Sequence, residues 1–124
     1  MINVFAVFIG GGIGAVLRYL TGLYAARFAI FSFPFTTFLV NVTGSFLIGL
    51  FYALCTDKMA ISPVMKAALT VGFCGGLTTF STFSYELFDM IVNARFLPAS
   101  LYIVLSIFLC LAAVWLGSSV GKIL

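Results

Sequence analysis

The chain has 124 residues, 64% of them apolar and 7% charged: six Lys or Arg, three Asp or Glu, and no His. A soluble domain carries about 25% charged residues, so this chain cannot coat a water-facing surface. A soluble enzyme, a nucleic-acid binder and a disordered tail are excluded, and the net charge of +3 is too small and scattered for a phosphate-tracking patch.

What remains is an integral membrane protein. A hydrocarbon core of about 30 Å needs about 20 apolar residues per helix, and the chain divides into four such spans, at about 4–28, 36–54, 64–92 and 97–120. Met1-Ile2-Asn3 carries no basic residue ahead of the first apolar run, unlike a signal peptide, so that run is expected to remain as a span. Ser32-Phe33-Pro34 separates spans one and two; Thr56-Asp57-Lys58 with Ser62-Pro63 separates two and three. Asn93-Ala94-Arg95 leads to Pro98 in the first turn of span four, where proline is tolerated. The connections are short, which predicts antiparallel neighbours in one domain, 1–124, of all-α fold.

Cytoplasmic loops are enriched in Lys and Arg. An even number of spans places Lys58, Lys66 and Lys122 on one face and Arg27 and Arg95 on the other. Three against two is nearly balanced. The plainer reading is an ordinary protein with a modest N-in preference; the sharper is a chain that inserts both ways and pairs with its inverted copy. Four close-packed helices leave little room for a path down their own middle. Gly10-x-x-x-Gly14 and Gly117-x-x-x-Gly121 offer flat faces for helix contact, so a dimer is the smallest assembly expected.

Span three carries the polar chemistry, in Gly72-Phe73-Cys74-Gly75-Gly76-Leu77-Thr78-Thr79-Phe80-Ser81-Thr82-Phe83-Ser84. Gly75-Gly76 weakens the helix, and five hydroxyls follow within seven residues. Broken backbone at this depth persists only where its freed groups are satisfied. The carbonyls upstream of a break suit a small cation, and the N–H groups downstream suit an anion. The competing explanation is a kinked helix whose hydroxyls bond back to their own carbonyls; the hydroxyl run favours an ion site.

Most of the 15 phenylalanines face lipid on the ordinary reading. Phe80 and Phe83, three residues apart, share a helical face with Thr79 and Thr82, and the positive edge of a ring can meet an anion. Asn41 and Ser45 share a face of span two. An unpaired buried amide costs about 2–7 kcal/mol, so Asn41 points into the bundle or a wet cavity. Tyr102, Ser106 and Cys110 form a thin polar line on span four, by itself as readily packing as pathway. Arg18, about 21 Å along the first helix, either snorkels to the far interface or lines a vestibule. Glu86 and Asp89 are expected near the water boundary, and Cys55, Cys74 and Cys110 as buried free thiols.

The chain resembles the Fluc (CrcB) family of small fluoride channels over essentially its full length. The resemblance rests on Gly11-Gly12-Ile13-Gly14-Ala15-Val16-Leu17-Arg18-Tyr19, on Val40-Asn41 with Gly44-Ser45-Phe46, and on the whole span-three motif. Where the family usually shows Gly-Thr-Leu before the asparagine, this chain reads Thr36-Thr37-Phe38. The resemblance implies a bacterial inner-membrane, dual-topology homodimer with two antiparallel pores passing F⁻ passively, and no enzyme activity. It further implies a Na⁺ at the dimer centre on the backbone carbonyls of Gly75 and Thr78. Phe80 and Phe83 would be aromatic fluoride contacts and Asn41, Ser81 and Thr82 polar pore residues. Tyr102 and Ser106 would lie along the path, with Arg18 and Glu86 in the vestibules.

Two other classes compete. A small multidrug-resistance-type cation/proton antiporter has similar size but would need a first-span carboxylate, and span one offers only Arg18. A membrane scaffold without a permeant would tolerate Ala throughout the Thr78–Ser84 hydroxyls.

Overall fold

The computed structural model describes residues 1–28, 33–57 and 61–124. Ser32 of the first expected connection and Lys58 of the charge comparison lie outside the described residues. Four helical segments are long and apolar enough to cross a membrane: Ile2–Ala26, Phe35–Thr56, Pro63–Val92 and Phe96–Ile123. Their ends fall within three residues of the expected spans. The largest differences lie at the ends of the second and fourth, which run on as helix through Asp57 and Ile123. Thr56-Asp57 is therefore the last of the helix rather than the connection.

The first, second and fourth spans are continuous helices, α1 (Ile2–Ala26), α2 (Phe35–Asp57) and α6 (Phe96–Ile123). The third is built from pieces: α3 (Pro63–Ala67), a wide-turn π segment (Ala68–Cys74), α4 (Gly75–Leu77) and α5 (Phe80–Val92). Ser62 starts it by accepting the Met65 N–H on its hydroxyl at 3.2 Å, with Pro63 in the first turn, where its missing donor costs nothing. Beyond α5 the chain turns at Ala94 with φ 54°, and α6 follows at once.

Helices in lipid gain nothing from burying apolar surface against one another, so close packing and hydrogen bonds must hold them. The glycines provide the packing. A Cβ at Gly10 would strike the Ala68 carbonyl, and one at Gly14 the Phe73 carbonyl, so α1 runs parallel to the third span with backbones in contact. Gly117 is pressed against the Phe46 carbonyl, Gly121 against Leu50 and Ala53, and Gly49 against the Val114 carbonyl. α2 and α6 therefore form a second parallel pair, with contact about as extensive as that of the first. Both Gly-x-x-x-Gly pairs are thus consumed within one subunit.

The two pairs run in opposite directions, because Thr37 of α2 meets Glu86 while Asn41 meets Thr79. The start of the third span and the end of α6 consequently share one end of the bundle. Most large apolar side chains on α1 and α6, such as Phe5, Phe8, Phe108 and Trp115, point outward, as lipid contact requires. The buried core is a thin cluster of Phe83, Met90, Ala99 and Tyr102.

Candidate functional site: a broken helix beside a polar groove

The helix breaks at Thr78 and Thr79, not at Gly75-Gly76. Both threonines are extended, with φ −85°, ψ 158° and φ −154°, ψ 125°. Gly75 and Gly76 stay helical because tertiary packing decides their role: a Cβ on Gly76 would meet the Gly11 carbonyl of α1, while Gly75 faces open space.

Side chains from two other helices satisfy the broken backbone. The Asn41 Oδ1 accepts the Thr79 N–H at 2.8 Å, and its Nδ2 donates to the Thr79 carbonyl at 3.1 Å. One amide thus holds both polar groups of one residue, as a neighbouring strand would. The Arg18 guanidinium donates to the Thr78 carbonyl at 3.1 Å, so Arg18 turns inward rather than snorkelling to an interface. Thr78 also returns its hydroxyl to the Cys74 carbonyl at 2.8 Å, the back-bonding expected of a kinked helix. Gly44 of α2 lies against the Thr78 methyl, where any side chain would displace the break.

Downstream, the Thr79 hydroxyl caps α5 by accepting the Thr82 N–H at 3.2 Å. The same oxygen lies 3.2 Å from both the Ser81 and Thr82 hydroxyls. The start of α5 therefore presents clustered hydroxyls at its positive dipole end. Ser81 and Thr82 are exposed on the subunit's outer face.

A groove of about 530 Å³ opens beside the break. Its polar wall includes Asn41, Ser45, Thr79 and Ser106, and its apolar wall includes Phe80, Phe83 and Ile107. Gly75 and Thr78 also line it. The Ser106 hydroxyl is buried without a hydrogen-bond partner, and an orphan donor of this kind is costly. The Phe80 and Phe83 rings lie 5.7 Å apart, so the shared face holds. Their settings differ, since Phe83 is 9% exposed and Phe80 79%.

Behind Phe83 the polar line continues. Tyr102 packs edge-on to the Phe83 ring at 4.8 Å and donates its hydroxyl to Glu86 Oε2 at 2.7 Å. Thr37 donates to Glu86 Oε1, also at 2.7 Å. Glu86 is therefore half-buried and fully engaged, not merely near the water boundary. Its neighbours Asp89 and Arg95 border a smaller cavity of about 190 Å³ at the far end of the bundle.

The structure thus brings Asn41, Gly75, Thr78, Phe80, Phe83 and Ser106 to one groove. Tyr102 and Glu86 lie beyond its inner end, Ser81 and Thr82 on the exposed turn, and Arg18 on the opposite side of the Thr78 carbonyl. Cys74 is buried and Cys55 and Cys110 half-buried, all as free thiols. Thr37 is the residue that sequence reasoning missed. Its spacing of four from Asn41, and Asn41's from Ser45, puts all three on one face of α2, and that was the available signal.

Four spans, one of them broken, beside a largely apolar groove that an amide and several hydroxyls also line, define a small multi-pass membrane protein. A sequence model described as CrcB-like protein, Camphor Resistance (CrcB), matches residues 5–118. The chain is 44% identical over 122 residues to a protein of Flavobacterium psychrophilum named fluoride-specific ion channel FluC, covering 98% of each chain. It is 49% identical over 117 residues to one of the same name from Shewanella sp. strain ANA-3, and 48% over the same length to one from Shewanella baltica, covering 94% of each chain in both cases. The chain belongs to the CrcB family.

Proposed function

We propose that the chain is a fluoride channel, a single four-helix domain (1–124) that conducts F⁻ passively across the bacterial inner membrane as a dual-topology homodimer with two antiparallel pores. The observation that carries this reading is the groove. It is lined by neutral donors and ring carbon, and its unpaired Ser106 hydroxyl faces no protein acceptor. The names of the relatives point to the same ion.

Fluoride is small and strongly hydrated, so entry requires donors that replace its water. Asn41 Nδ2 carries a second N–H beyond the one given to Thr79. Ser106 and the Ser81 and Thr82 hydroxyls supply others, and the rims of Phe80 and Phe83 offer weak positive edges. None of these carries full charge, so the ion can also leave, as conduction demands. The Arg18 guanidinium is directed at the Thr78 carbonyl and does not line the groove, which keeps a strong cation from direct contact with the anion. The exposed Phe80, Ser81 and Thr82 gain an opposite wall from the inverted copy.

The donor set at the break suits Na⁺. Gly75 is exposed, and the Thr79 N–H that would have bonded its carbonyl goes to Asn41 instead. The Thr78 carbonyl has a second lone pair besides the one facing Arg18. Carbonyls at the end of a half-helix coordinate Na⁺ in other membrane proteins. Gly75 and Thr78 would hold it together with the same residues of a second copy, and a bound ion there would supply structural charge between subunits.

The test is efflux from liposomes loaded with KF or KCl after valinomycin, read with ion-selective electrodes. Release of fluoride without chloride is expected. Release of neither would refute the reading.

A further inference from the structure

The groove does not end at its hydroxyls. Beyond Ser45 it reaches Tyr52 and Thr70, at the end of the bundle where the third span begins. One turn before Thr70 stands Lys66, whose carbonyl accepts the Thr70 hydroxyl at 2.8 Å. The half-buried Lys66 side chain reaches across to α2, and its ammonium lies over the Tyr52 ring, 5.3 Å from the centroid. A lysine on an open surface samples many rotamers; this one is held at a groove wall by a ring that itself lines the groove.

The other described charges are placed differently. Arg18 is engaged at the break, Glu86, Asp89, Arg95 and Arg27 stand at the far end, and Lys122, in the last turn of α6, shares the Lys66 end but does not line the groove. Asp57 ends α2 near this mouth. The path therefore has Lys66 at one mouth and charges of both signs at the other end, with neutral donors between.

We propose that Lys66 is an anion-collecting residue, fixed by Tyr52 at the groove mouth, that raises the local fluoride concentration and sets the entry rate. The assignment rests on the fluoride-channel reading. A cation inside the path would bind the ion too tightly, whereas one at the mouth acts only through its field, which steers approach and decays over a Debye length. For an anion passing about 8 Å from the ammonium in water, Coulomb attraction enriches it roughly two- to threefold at about 10 mM salt, where the Debye length is about 30 Å; at about 1 M the length falls to about 3 Å and the enrichment vanishes.

The experiment measures fluoride efflux for wild type, K66R, K66Q and K66M in liposomes. Each is run at about 10 mM KF with and without about 1 M potassium gluconate on both sides. K66R is expected to match wild type. K66Q, and K66M, which keeps the apolar stem over Tyr52, are expected to be about two- to threefold slower at low salt and equal to wild type at high salt. If both neutral variants equal wild type at low salt, or are slower by the same factor at both strengths, the assignment is overturned. Should one neutral variant fail to fold, the other gives the same readout, and failure of both while K66R folds overturns it in favour of a structural role. An inactive wild type refutes the channel reading instead.

Discussion

Replacing Asn41 separates its support of the backbone from its part in the path. The amide makes two hydrogen bonds to Thr79, at 2.8 and 3.1 Å, across the gap between α2 and the break. In Asn41→Leu, of similar volume, both Thr79 groups lose their partner in a region without bulk water. Each orphaned backbone group costs about 1–3 kcal/mol, so the variant should lose about 2–6 kcal/mol, read as the shift in its denaturation midpoint in detergent. Asn41→Asp keeps the acceptor for the Thr79 N–H but sets a carboxylate oxygen against the Thr79 carbonyl. One bond is lost, for about 1–3 kcal/mol, and a negative charge enters at the groove wall. Asn41→Asp should therefore still fold, with a loss of about 1–3 kcal/mol, while its fluoride efflux falls at least tenfold. The paired assays are denaturation midpoint and liposome efflux on the same preparations. Wild-type stability in Asn41→Leu would refute the backbone role, and wild-type efflux in Asn41→Asp would remove the residue from the path.

Six further substitutions test separate parts of the fold and the site. Phe80→Ile and Phe83→Ile should each cut fluoride efflux severalfold, with subunit stability lost only in Phe83→Ile, by about 1–2 kcal/mol, because Phe80 is 79% exposed; unchanged efflux in both would end the aromatic-contact idea. Ser106→Ala removes a buried hydroxyl that no protein group pairs, so stability should hold or rise by about 1 kcal/mol while efflux falls. Tyr102→Phe deprives Glu86 of its 2.7 Å donor and should cost about 1–3 kcal/mol, measured by denaturation, together with part of the efflux. Gly14→Val drives a side chain into the Phe73 carbonyl and should abolish folded protein in size-exclusion chromatography, whereas Gly12→Val, with nothing near its Cβ, should behave as wild type.

The spans and the break within the third could be read from the chain because each has a local cause: about 20 apolar residues, a Ser-Pro start, a cluster of hydroxyls. The position of the break could not. Glycine is a poor helix former by itself, so Gly75-Gly76 looked like the weak point. Close approach of α1 holds Gly76 in helix, and Asn41 and Arg18 draw the discontinuity to Thr78 and Thr79. The Gly-x-x-x-Gly spacings were equally readable as flat faces, but a spacing does not say which helix it meets, and here both partners lie in the same chain. Glu86 and Thr37 stand 49 residues apart in sequence. Their pairing follows only once α2 and α5 are known to run antiparallel, so the partners of the half-buried Glu86 could not be read from the chain although its place near the end of the bundle could.

The sign of each group around the break also has an order that bears on assembly. α4 ends in carbonyls, the negative end of a helix dipole, and α5 begins in N–H groups, the positive end. Arg18 lies against the first, its charge directed at the carbonyl end of the dipole, while Thr79, Ser81 and Thr82 cluster at the second. Positive character is thus presented by dipoles rather than by a side-chain charge, on the face where Phe80, Ser81 and Thr82 are exposed and where lipid alone would leave the hydroxyls poorly matched. Polar groups in hydrocarbon face protein or water. An outward-facing hydroxyl turn beside an outward-facing ring is therefore half of a wall. A surface that completes it has to be apolar enough to pack on Phe80 and polar enough to answer Ser81 and Thr82, and in the proposed dual-topology dimer the inverted second copy would supply it.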